Sequence, residues 1–183
     1  MSCVVRSSHQ IFGAPIARMS LERFKQAQAS RHAGFDTALR ELQSGAKTSH
    51  WIWYIFPQLA GLGSSSASRT YALSDLHDAI DYLRDPLLGG RLAQLTGLVA
   101  EKLAEGIPLS ELMGSSIDAL KLVSSLTLFE LALRDLGADV AALPHAAEFG
   151  RHSAEVLGIA EREGFARCRY TLGRARHGDA SHH

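Results

Sequence analysis

Ile117-Asp118-Ala119-Leu120-Lys121-Leu122-Val123-Ser124-Ser125-Leu126-Thr127-Leu128-Phe129-Glu130-Leu131-Ala132-Leu133-Arg134-Asp135-Leu136 reads as a helix that is apolar on more than one side. Leu122, Leu126, Phe129, Leu133 and Leu136 recur at helical spacing and form one stripe. Leu120, Val123, Leu128 and Leu131 fill the other side. A helix that is greasy all round must be covered by neighbours. We therefore read it as the central helix of an all-α fold.

The flanking sequence supplies those neighbours. Ser20 is a plausible cap for a helix with Leu21, Phe24 and Ala27 on one side. Phe35, Ala38, Leu39 and Leu42 follow the helical period and stop at Gly45, a common C-terminal signal. Ser74 is the expected cap of a helix carrying Leu76, Ala79, Ile80 and Leu83, which ends before Pro86 because a residue preceding proline resists the α conformation. Leu88, Leu92, Leu95, Val99 and Leu103 predict a long helix ending near Gly106. Further helices are expected over about 145–163 and 165–176. For 51–56 a lone strand would lack a partner, so a short buried helix or an extended segment is expected.

The expected organisation is one compact multihelical domain over 19–177, with disordered segments at 1–18 and 178–183. Periodic sequence begins at Met19-Ser20-Leu21-Glu22, which makes Met19 a candidate start. In 1–18, Gly13 and Pro15 interrupt what a signal peptide would need as an apolar run.

Of the 183 residues, 46% are hydrophobic and 21% charged, the balance of an ordinary globule. Basic and acidic residues number 19 each, so there is no electrostatic footprint for nucleic acid or an anionic membrane. No apolar run approaches the roughly 18 residues of a membrane span. Cys3 and Cys168 stand at opposite ends of the chain, neither a disulfide framework nor a zinc pattern, which fits a cytoplasmic setting. The nine histidines are scattered, and no metal or cofactor is expected. Partners are expected to be small molecules rather than nucleic acid or membrane, and the sequence leaves the oligomeric state open.

The chemistry-bearing stretch is His50-Trp51-Ile52-Trp53-Tyr54-Ile55-Phe56-Pro57-Gln58, followed by Gly61-Leu62-Gly63-Ser64-Ser65-Ser66. Both tryptophans of the chain lie in it. An extended backbone would put Trp51 and Trp53 on one face as a stacking wall. A helical one would send them apart and make one of them core. His50 is the best catalytic candidate, since its ordinary pKa is near 6.5; the alternative is a histidine that caps the turn. The Gly/Ser segment lets backbone approach a ligand, with Lys47 and Arg69 beside it and Tyr71 just beyond, although its simplest reading is a tight turn. It is neither a P-loop nor a dinucleotide fingerprint. On the central helix, Asp118 and Lys121 make an i, i+3 ion pair, and Ser125 lies a turn further on. Polar groups on so apolar a helix need partners, within the protein or from a ligand.

At these residues the chain resembles a bacterial group, the domain-of-unknown-function family 1810. The resemblance rests on Phe24-Lys25-Gln26-Ala27-Gln28, on Lys47, on Ser49 to Leu59, and on Gly61-Leu62-Gly63. It continues through Tyr71, Pro86-Leu87-Leu88-Gly89, Arg91-Leu92, Asp118, Lys121-Leu122 and Ser124 to Phe129. The segment before Met19 departs from the family pattern. The resemblance implies a small multihelical fold and no established activity. A more distant similarity, in the Ala-Gln helix and the Pro-Leu segment, is to helical proteins associated with NAD and ADP-ribose. Its motif residues are not all present, so it carries no catalytic residue over.

Together these features predict a ligand pocket drawn from Lys47, His50, Trp51, Trp53, Gln58, Gly63, Ser64, Arg69, Tyr71, Lys121 and Ser125. The expected occupant is a small molecule, nucleotide-like or ADP-ribose-like, bound or hydrolysed. A protein-interaction or purely structural module is the alternative.

Overall fold

The computed structural model describes residues 20–178, so the expectations for 1–18 and 179–183 lie outside it. The order of elements is α1 (Glu22–Gln28), α2 (Phe35–Gln43), α3 (Ile52–Ile55), α4 (Ser66–Thr70), α5 (Leu76–Arg84), α6 (Pro86–Ala104), α7 (Leu109–Leu112), α8 (Ser116–Leu136), a 3-10 turn (Gly137–Ala142), α9 (Ala146–Arg162) and α10 (Arg169–Gly178). Among the described residues the only β pairing is an isolated parallel bridge between Leu59 and Leu73.

The central helix is α8. Every residue from Leu122 to Phe129 is buried, because α5, α7, α9 and α10 pack around it. Its capping is local: the Ser115 hydroxyl accepts from the Asp118 amide at 3.1 Å, which places Asp118 in the first turn. The α6 and α9 helices form the most extensive pairing, with Gly97 of α6 lying directly beneath the His152 ring of α9. A Cβ at Gly97 would come within 2.9 Å of the imidazole, so glycine is what allows this approach.

Several elements differ from the sequence reading, among them α1, whose N-cap is Leu21 and not Ser20. The cap of α5 is Asp75, whose carboxylate accepts from the Asp78 amide at 3.0 Å, and not Ser74. Asp75 stands one residue nearer the open amides of the first turn, within reach of the Asp78 amide. Helix α10 starts only at Arg169, after a segment in which Arg167 is ion-paired to Glu130 of α8 and Glu161 of α9. The single-turn α7 has too few apolar positions to show a period.

The Phe24-Lys25-Gln26-Ala27-Gln28 stretch explains how α1 is tied in. Gln28 is buried; its amide donates to the Tyr54 carbonyl at 2.8 Å and to the Tyr82 hydroxyl at 2.9 Å, and its oxygen accepts from Arg91 at 3.3 Å. One side chain thus joins α1, α3, α5 and α6. Burial pushes the Tyr82 phenol up, and the Gln28 hydrogen bond offsets only part of that.

Candidate functional site

The aromatic block is helical. Ile52–Ile55 forms one turn with Trp51 as its N-cap, so the two indoles diverge. Trp51 is 0% exposed and packs on Phe56, with ring centroids 6.3 Å apart. Its indole nitrogen donates to Glu41 at 2.8 Å. Trp53 is half-buried and faces outward into a cleft. The extended reading, a wall of two indoles, is therefore corrected: a single turn of helix rotates consecutive odd residues to different sides.

Glu41 organises the approach to this turn. Besides Trp51, its carboxylate accepts from the Thr48 amide at 2.9 Å, the Thr48 hydroxyl at 2.8 Å, the Ser49 amide at 3.0 Å and the Ser49 hydroxyl. Desolvation opposes ionisation there, but the donors from Ser49, Thr48 and Trp51 outweigh it and bring the carboxyl down to about 2. A lone Glu on α2 gives no sign in sequence of this role, since its donors lie seven to ten positions away.

Lys47 is buried and its ammonium meets the Asp118 carboxylate at 2.5 Å. Its backbone amide donates to the Leu112 carbonyl at 2.8 Å, and its own carbonyl faces Gly114, where a Cβ would come within 2.5 Å. Gly114 has φ +74°, so both its backbone and the space beside it require glycine. The other Asp118 oxygen takes Lys121 at 2.8 Å. Desolvation works against ionised Asp118, yet the ammonium groups of Lys121 and Lys47 hold it below the usual carboxylate range. Lys121 in turn lies 4.4 Å above the Trp53 ring, and Lys47 lies 5.2 Å from that of Trp51.

These contacts build one wall of a cleft of about 410 Å³. Helix α8 contributes Ile117, Leu120, Lys121 and Ser124; α3 contributes Trp53. The third side is the loop from Gln58 through Leu62, Gly63, Ser64 and Ser65 to Ser68. That loop is pinned at its base by Ala60 donating to Leu73 at 2.7 Å and Leu73 donating to Gln58 at 2.9 Å. Tyr170 of α10 donates to the Ala60 carbonyl at 2.9 Å. Gly63, at φ +82°, lets the chain turn back over Ser68, where a Cβ would come within 3.1 Å.

Of the residues expected to meet, Trp53, Gln58, Gly63, Ser64 and Lys121 line this cleft. Arg69 stays behind it, its guanidinium bonded to the Ser64 carbonyl. Lys47 acts only through Asp118. His50 is exposed and outside the lining, as the turn at Trp51 points it away. Tyr71 is drawn into a ring cluster with Phe24 and Tyr54, at 5.8 and 5.1 Å. Ser125 is fully buried with its hydroxyl unpartnered, since it sits on the core side of α8. The sequence reading missed Leu62, Ser65, Ser68, Ile117, Leu120 and Ser124 as lining; the i, i+3, i+4, i+7 spacing of Ile117, Leu120, Lys121 and Ser124 was the available signal.

A second groove, of about 510 Å³, lies between α2, α6 and α9 and contains Glu101, Glu148, His152 and Glu155. None of the expected residues reaches it. Among the described residues no group of His, Cys, Asp or Glu is placed to hold a metal ion, and no helix is long and apolar enough to cross a membrane.

The model of the family described as "Protein of unknown function (DUF1810)" matches residues 18–145, more than half of the chain. This chain belongs to the DUF1810 family. Among solved structures it is similar to the crystal structure of the conserved hypothetical protein Rv1873 from Mycobacterium tuberculosis. Identity is 34% and the TM-score 0.63, over 84% of this chain and 94% of that one. A comparison with curated proteins finds no match. The match to the family ends at residue 145, so it spans the whole Trp53–Lys121 cleft and stops before α9.

Proposed function

We propose that this DUF1810 protein is a cytoplasmic small-molecule binder whose ligand occupies the cleft between Trp53, Lys121 and the Gln58–Ser68 loop. The supporting observation is the convergence of three separate segments on one concavity of about 410 Å³, within the usual range of roughly 300–1,000 Å³ for such sites. Its walls combine an indole and aliphatic side chains with an amide, serine hydroxyls and one ammonium group. That mixture suits a molecule with a flat or apolar body and several polar edges, and nucleotides and ADP-ribose are the first class to test. Binding is favoured over hydrolysis because no Asp, Glu or His lines the cleft to take a proton, and Lys121 is already ion-paired.

Calorimetric titration with ADP-ribose, NAD and AMP tests the reading. Saturable binding is expected, weakened at least about tenfold by Trp53→Ala and unchanged by His50→Ala, whose exposed ring lies elsewhere. Absence of binding by all three refutes the nucleotide-like reading. Release of a cleaved product that depends on Trp53 would establish the hydrolase instead.

Ile117 and Leu120 favour a second reading. They are 68% and 50% exposed, large apolar side chains on the rim of the same cleft. A protein partner covering that rim would bury both.

A further inference from the structure

Resting on the small-molecule reading, we infer that the cleft selects anionic ligands, and that buried Lys47 sets this selectivity without touching the ligand. Lys47 and Lys121 share the single carboxylate of Asp118, at 2.5 and 2.8 Å. The cluster keeps one net positive charge. Lys121 is the member that lines the cleft, with its ammonium over Trp53, while Lys47 is walled in behind Asp118 with its side chain only 5% exposed.

The remaining surroundings leave that charge uncompensated. No acidic side chain lines the cleft. Arg69, bonded to the Ser64 carbonyl, adds positive charge from the α4 side. Glu41 is turned to Thr48, Ser49 and Trp51. Without Lys47, Asp118 would neutralise Lys121 and the wall would carry no excess charge. A ligand carboxylate or phosphate beside Lys121 therefore feels Lys47 through the shared carboxylate. Lys47 is a specificity-determining residue that acts at a distance, placed there by the Leu112 hydrogen bond and the close approach to Gly114.

Adenosine and AMP are the probe pair, equal in their flat body and different in charge. The expected result is AMP binding well over tenfold more tightly than adenosine, with the preference shrinking as salt is raised. Lys47→Met should cost AMP about tenfold, the order expected when a unit charge held behind Asp118 is removed from a partly screened site. The same variant should leave adenosine affinity unchanged, which also verifies that the cleft is folded. Lys121→Met should remove most of the preference, leaving only the contribution of Arg69. Equal affinity for the two probes in the wild type overturns the inference while the binding reading stands. So does a Lys47→Met variant that keeps the full AMP preference. If neither probe binds, this inference falls, while the binding reading is decided by the titrations with ADP-ribose and NAD.

Discussion

The carboxylate of Glu41 offers the sharpest test of how the aromatic turn is held. The perturbation is Glu41→Gln, which keeps size and shape but replaces an acceptor-only group with one that carries two donors. The donors of Thr48, Ser49 and Trp51 then cannot all be satisfied. Depression of the Glu41 carboxyl from 4.5 to about 2 corresponds to about 3 kcal/mol. Partial solvent exposure screens the group, so we expect roughly 1–2 kcal/mol of that to appear as stability. The sign follows from linkage: the folded carboxyl is more acidic than the unfolded one, so its contribution is complete above about pH 5 and fades as pH falls towards 2. Urea denaturation of both proteins between pH 7 and pH 3 measures it. Asp85 and Asp118, also depressed, titrate in both proteins and cancel in the difference. The wild-type advantage should shrink by about half of the 1–2 kcal/mol on reaching pH 3. A difference that stays constant across that range refutes the reasoning.

Trp51→Ala should cost about 3–5 kcal/mol in chemical denaturation, and Trp53→Ala clearly less, because only Trp51 is fully buried; equal losses would contradict the assignment of core and cleft. Gly114→Ala should destabilise by more than about 1 kcal/mol, since it strains φ and pushes on the Lys47 carbonyl at once, and an unchanged melting temperature would show that the turn can relax. Burial alone would raise the Cys168 thiol, but the Ser124 hydroxyl and the backbone amides of Thr171 and Tyr170 beside it hold it below its ordinary value of 9.0. In a Cys3→Ser background, iodoacetamide should therefore label Cys168 along a pH curve shifted below that of a free thiol, and a curve at or above the free-thiol value would refute it.

Helix order was legible because α2, α5, α6, α8 and α9 are long enough to show an apolar period, and because Gly45, Pro86 and Gly106 punctuate them. The apolar character of α8 on all sides needed no partner to be read, and it placed that helix at the centre. Local chemistry also put Asp118 and Lys121 in contact, since residues three apart on a helix are neighbours.

Periodicity stops where a segment is shorter than two turns. The Trp51–Phe56 stretch admits either backbone, and only packing of the Trp51 ring against Phe56, with Glu41 waiting for its nitrogen, selects the helical turn. That choice sends His50 outward and Trp53 into the cleft. The Lys47–Asp118 pair is likewise invisible in one dimension, because it closes across some seventy residues and depends on the bare α-carbon of Gly114. Residue types and helical spacing are local properties and can be read from the chain. Which polar groups share a wall depends on how far α8 and the 44–51 segment approach each other, and that distance is set by side-chain packing in three dimensions.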